Sequence, residues 1–192
     1  MTRPVRVLAC GAADRGDDAA GLIAACAIPL DVRLAASVEL VGQLSAEQLL
    51  GDEPDVIRVV VDCVAGVPAG QLVEMPLAAL PQLEEELRPT SSHALPLGQT
   101  VAMAALLDGV RPHDRFIGIG GEAFAPGSDL SAPVEDAIPE LTVRLVDAIE
   151  GATLPRARGS VLRATTGGSG VPQRRYVSRR PRPPRAPVDS RR

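Results

Sequence analysis

Gly11-Ala12-Ala13-Asp14-Arg15-Gly16-Asp17-Asp18 lies between an apolar run, Val5 to Cys10, and an alanine-rich segment with helical spacing. A short continuous apolar run is the pattern of a strand buried on both faces, so this stretch reads as the corner where a first strand hands over to a first helix. Asp17 and Asp18 at that corner have an ordinary structural use, because Asp caps free N–H groups and favours the positive end of the helix dipole. A second carboxylate ends another apolar run, Asp62 after Val59-Val60-Val61, and a histidine stands in a loop, His93 in Ser91-Ser92-His93.

Working outward, Asp17 to Ile28 places Leu22, Ile23 and Cys26 on one helical face. Val32 to Val41 alternates loosely, and Ser45 is placed to cap a short helix through Leu50. Val56 to Asp62, with five β-branched residues, is the most strand-like run and is expected at the centre of the sheet, ending on an acid where ligands gather in open α/β sheets. Gln71 to Met75 reads as a hairpin-type strand and Leu80 to Leu87 as a short acidic helix. Leu95 to Leu107 reads as a helix with Pro96 in its first turn, where a missing N–H costs little. Arg115 to Gly121 gives a last strand, and Ser131 to Ile149 a closing helix that Pro139 could kink or divide. Strands alternating with helices predict a three-layer α/β/α domain with a mostly parallel twisted sheet over residues 1–153.

Charge separates that domain from the C-terminal segment. From Arg156 to Arg192 there are eleven Arg and one acid, a balance of +10, whereas residues 1–155 carry nine Arg and 23 acids, a balance of −14. All 20 basic residues are Arg. The segment 154–192 is rich in Arg, Pro and Gly, has too little apolar surface to offset its chain entropy, and is expected to be disordered. Its positive charge suits weak, salt-sensitive contact with an acidic surface. An acidic, aromatic-poor domain is a poor nucleic-acid platform, so no specific nucleic acid is expected as partner. Cys10, Cys26 and Cys63 form no C-x-x-C pair, which argues for a reducing compartment. With no separate signal-type h-region and no apolar run near 18 residues, neither secretion nor a membrane partner is expected, and the predicted location is cytoplasmic.

The candidate chemistry is a metal site built from Asp18, Asp62 and His93, with Asp17 as support. Two carboxylates and an imidazole converging from strand ends suit a borderline divalent ion such as zinc or nickel, and three protein ligands leave positions open for water or a substrate group. The same residues also read as solvated acids at βα corners and a loop histidine. His113, in a turn signal, reads as a surface residue. Cys63 could be a thiolate nucleophile or a buried strand residue. No H-E-x-x-H, G-x-S-x-G or P-loop occurs.

Four places together resemble the hydrogenase maturation endopeptidases: G-x-x-D-R-G-D-D at Gly11 to Asp18, V-V-V-D at Val59 to Asp62, S-S-H-A-L at Ser91 to Leu95, and F-A-P-G-S-D-L-S at Phe124 to Ser131. The resemblance runs from about Val5 to Ile149. It implies an endopeptidase that removes the C-terminal extension of a NiFe hydrogenase large subunit after nickel insertion. It also implies metal-binding and catalytic roles for Asp18, Asp62 and His93, and nickel supplied by the partner, the nickel-loaded precursor. Ala12, Ala19, Gly42-Gln43-Leu44 and Pro96 depart from the family's usual residues while leaving the three ligands in place. The alternative reading is a non-catalytic nickel-sensing or chaperone module with the same ligands. A hydrolase acting on peptidyl-tRNA is a further alternative, disfavoured by the acidic domain.

Overall fold

The computed structural model describes residues 3–87 and 96–153. The chain divides into Met1–Arg156 and Ala157–Arg192, and every described residue belongs to the first unit. The basic segment from Leu154 on, and with it the expectation of disorder, lies outside the described residues.

Five strands form one sheet: β1 (Val5–Cys10), β2 (Ala36–Gly42), β3 (Ile57–Ala65), β4 (Leu72–Pro76) and β5 (Arg115–Gly121). Their order is β2-β1-β3-β5-β4, parallel except for β4, which runs antiparallel to β5 at one edge. β3 is central, as its β-branched run predicts. The helices are α1 (Ala20–Cys26), α2 (Leu30–Arg33), α3 (Leu80–Leu87), α4 (Leu97–Leu106) and α5 (Ala132–Thr153).

Period-two alternation sorts the strand residues into two cores. Val7, Ala9, Val59, Val61, Ile117 and Ile119 pack with α1 and α5 on one face. Leu8, Val60 and Phe116 pack on the other with Leu80 of α3 and Val101 and Ala104 of α4. Burial on both faces is what a parallel sheet requires, and the result is the expected three-layer domain.

Several local expectations change. The first helical segment begins as a 3-10 turn, Gly16–Ala19, before α1. The side of α1 that meets the sheet is Ala20, Gly21, Ala24 and Ala25, while Ile23 and Cys26 are exposed and Leu22 is only partly buried. A Cβ on Gly21 would stand 3.1 Å from the Cys10 carbonyl oxygen and 3.2 Å from that of Val61, so α1 lies too close to the sheet for large side chains. Val32 and Arg33, expected at the start of the run Val32 to Val41, belong instead to a helical turn, Leu30–Arg33, ahead of β2. Pro96 stands just before α4 rather than inside its first turn. α5 continues through Pro139, an exposed position where water can serve the carbonyl that the missing N–H leaves free.

The central strand also carries a charge that β-propensity does not explain. Arg58 is fully buried and pairs with Asp114, just before β5, through Nη2–Oδ2 at 2.6 Å and Nε–Oδ1 at 3.2 Å. Its Nη1 donates to the Leu49 carbonyl, and Asp114 also accepts the Arg111 backbone N–H at 2.7 Å. His113, expected at the surface, is half-buried with Nε2 3.1 Å from the Val56 carbonyl oxygen. These contacts fasten the end of the sheet at which the parallel strands begin.

Candidate active site

The opposite end, where the parallel strands finish, holds the candidate acids. Gly11 follows β1 with φ +119°, and a Cβ there would overlap the Asp18 carbonyl oxygen. Gly16, at φ +55°, faces Ser128 Oγ and the Ala123 carbonyl oxygen with no room for a Cβ. Glycine is required at both points because only it combines a left-handed backbone with so close an approach. The loop between them folds back on itself, and the Ala12 backbone N–H donates to Asp18 Oδ2 at 3.0 Å.

Register brings Asp62 to the same corner. Ala9 pairs with Val61, so Asp62 stands level with Cys10, the last residue of β1. The strand itself does not end there, as its sequence suggests; β3 continues to Ala65, paired with β5 as far as Gly121. Alternation puts Asp62 on the face of Val60 and Val64, the face that α3 and α4 cover. Those two helices are joined by residues 88–95, the link that contains His93 and lies outside the described residues.

The two carboxylates share a pattern. Asp62 Oδ1 accepts the Cys63 backbone N–H at 2.8 Å, just as Asp18 Oδ2 accepts that of Ala12. Among the described residues, neither Asp18 Oδ1 nor Asp62 Oδ2 receives a hydrogen bond. Burial raises the Asp62 proton affinity to about 8, with the charges of Asp18 and Glu84 adding to it and the Cys63 N–H offsetting only part. Glu84 of α3 is itself raised by burial. It lines a cavity of about 450 Å³ with Pro81, Pro96, Gly98 and Gln99, between α3 and α4.

Asp17 has a different environment. Its side chain is fully buried and accepts four hydrogen bonds, from the backbone N–H groups of Glu122 (2.8 Å), Ala123 (2.9 Å) and Ser131 (2.7 Å) and from Ser131 Oγ (2.9 Å). Burial acts to raise its proton affinity, but the four donors together outweigh it and hold the carboxyl below the usual range.

Cys10 and Cys63 are poor nucleophiles. Burial pushes the Cys63 thiol up, and Asp62, Asp17 and Asp18 push it further; Cys10 is raised by burial and by Asp62 and Asp18. A thiolate at neutral pH is therefore disfavoured at both positions, against a Cys63 nucleophile. Among the described residues, no group of three or more His, Cys, Asp and Glu side chains could hold a metal ion. Of the residues picked from sequence, Asp18 and Asp62 lie at the same end of the sheet, near enough for their charges to interact, Asp17 supports the turn that bears Asp18, and His93 falls outside the described residues.

The open sheet of this order, with helices on both faces, can be compared with those of known proteins. No family model and no curated protein matches the chain. Solved structures do. The NiFe hydrogenase maturation protease HybD from Thermococcus kodakarensis is 21% identical, with a TM-score of 0.54 over 74% of this chain and 96% of that one. HycI from Thermococcus kodakarensis KOD1 is 18% identical, with a TM-score of 0.55 over 78% and 94%. The hydrogenase maturating endopeptidase HybD from E. coli is 20% identical, with a TM-score of 0.56 over 77% and 93%. At these identities the likeness establishes a shared fold. Among the described residues, no helix is long and apolar enough to cross a membrane.

Proposed function

We propose that the chain is an endopeptidase of hydrogenase maturation, which removes the C-terminal extension of a NiFe hydrogenase large subunit once nickel is in place. The observation that carries the reading is the pair Asp18 and Asp62, brought from the 3-10 turn after β1 and from within β3 to one end of the sheet, with one oxygen of each held by a backbone N–H. Hard oxygen donors joined by the imidazole of His93 suit a borderline divalent ion, so the donor set fits nickel. The nickel is the substrate's own, held by the partner's thiolates.

Asp18, Asp62 and His93 grip that ion from its open side and so bring the neighbouring peptide bond to a fixed position. Water attacks the carbonyl carbon, the C–N bond breaks, and a proton passes to the leaving amine; bound nickel supplies Lewis acidity to this step. Burial favours the protonated form of Asp62, and a ligating carboxylate must be ionised, so binding the ion would displace that proton. The raised thiols of Cys10 and Cys63 favour water over a cysteine as nucleophile.

The test is His93→Ala in the purified protein, incubated with nickel-loaded precursor and read by mass spectrometry of the partner. Processing should be lost. Undiminished cleavage refutes the assignment, and a parent protein that binds the precursor without shortening it makes the chain a nickel-sensing or chaperone module instead.

A further inference from the structure

The stretch Phe124 to Ser131 carries part of the family resemblance yet supplies none of the three candidate ligands. Its contacts lead back to the first corner. The Gly127 N–H donates to the Asp14 carbonyl at 2.6 Å, Arg15 Nε donates to that of Phe124 at 3.3 Å, and the Asp17 N–H donates to that of Ala123 at 2.8 Å. The Asp17 carboxylate then takes the N–H groups of Glu122 and Ala123, where the chain leaves β5, and both donors of Ser131, the residue before α5.

We infer that Asp17 and Ser131 are positioning residues for the candidate site: together they clamp the loop that bears Asp18 to the β5–α5 connection, fixing the Asp18 carboxylate before any metal arrives. The inference rests on the proposed role of Asp18 as a metal ligand. Asp17 cannot itself be a ligand in this arrangement, because both of its oxygens are already occupied and its side chain is buried. Its neighbour Asp18 is half-buried, with one oxygen on the Ala12 N–H and the other without a hydrogen bond among the described residues. Adjacency divides the labour between them. One carboxylate anchors a short 3-10 turn while the next is presented, and a shift in the anchor is carried one residue along a backbone that Gly11 and Gly16 have already bent into a single path. Groups that orient a ligand without touching the ion typically change its affinity by about 10–100-fold when removed.

The experiment uses the full chain and Ni²⁺ alone, with two readouts. Calorimetry measures affinity, and the amide resonance of Ala12, whose N–H donates to Asp18, reports the carboxylate's position in the metal-free protein. Asp17→Asn should weaken Ni²⁺ about tenfold or more and move the Ala12 resonance, since the new amide N–H groups face donors where acceptors are needed. Ser131→Ala removes one bond and keeps the backbone donor, so it should fold even where Asp17→Asn does not. It should shift Ala12 in the same direction by less, and Ser131→Thr, which keeps the hydroxyl, should restore the parental position. An Ala12 resonance unmoved in folded Ser131→Ala, or parental Ni²⁺ affinity in folded Asp17→Asn, overturns the inference. If the parent chain binds no Ni²⁺ on its own, the metal-ligand role of Asp18 on which the inference rests fails, and the Ala12 resonance alone still decides the clamp.

Discussion

Replacing Asp114 by Ala leaves the Arg58 guanidinium fully buried without its carboxylate partner. Asp114 receives Arg58 through Nη2 at 2.6 Å and Nε at 3.2 Å, and also the backbone N–H groups of Arg58 (3.2 Å) and Arg111 (2.7 Å). The nearest other carboxylate, Asp52, is 3.8 Å from Arg58 Nε and already serves Arg6, so it cannot take over the bidentate contact. Breaking a buried pair in this way costs about 3–5 kcal/mol. For a domain of this size, where each kcal/mol moves the midpoint by about 2–4 °C, the melting temperature should fall by roughly 6–20 °C. Most of the cost arises from an unpaired charge, so Arg58→Met combined with Asp114→Ala should recover that part and leave only the share of the Arg58 and Arg111 backbone N–H groups that lose their acceptor, a coupling that a double-mutant cycle measures. Circular-dichroism melts of the parent, both single variants and the double variant supply the cycle. Asp114→Ala within about 1 kcal/mol of the parent, or a double variant no better than the worse single one, would refute the account. Metal affinity should not change, because Asp62 stands four residues along β3 from Arg58, about 13 Å away.

Asp62 provides a pH signature. Its folded pKa near 8 lies above the unfolded value of about 3.9, so its contribution to stability is fully present below pH ~4 and is lost progressively as pH rises to about 8. Asp62→Asn, which keeps the Cys63 N–H acceptor, should therefore gain stability over the parent at pH 9 and little at pH 4, as thermal melts at the two pH values will show. Thiol labelling at pH 7.5 should modify exposed Cys26 first, with Cys10 and Cys63 slow because burial raises both thiols; labelling all three at one rate would contradict this. A chain truncated after Leu154 should melt within about 2 °C of the full protein, since the last buried core residue among the described residues is Ile149. A large loss would place the basic segment within the domain.

The sheet is legible in the sequence because its strands are nearly pure β-branched or apolar runs, and Arg115 to Gly121 and Leu80 to Leu87 carry their own bounds. Helix faces are less legible. The expectation that Leu22, Ile23 and Cys26 form the buried side of α1 comes from hydrophobicity, whereas the separation from the sheet, set by Gly21, selects alanines. The buried role of Arg58 is hidden because five β-branched neighbours dominate the pattern of its strand. Its only signal is a charge in a run otherwise destined for the interior. Asp17 and Asp18 look alike in sequence and have opposite fates, since what separates them is contact with residues more than a hundred positions away. Asp18 and Asp62 are legible as a pair because strand order in an open α/β sheet puts both finishing ends at one edge.

The separation of 114 positions between Asp17 and Ser131 also sets an order of events during synthesis. At about 5–20 residues per second, a ribosome makes the first acid roughly 6–23 s before the serine that captures it. During that interval the nascent β1 and its following turn have their carboxylates in water, free to rotate. The corner acquires its final shape only when the last strand and the start of the final helix have left the exit tunnel. An incomplete nascent chain therefore has both aspartates but not the geometry that would let it compete for a metal ion.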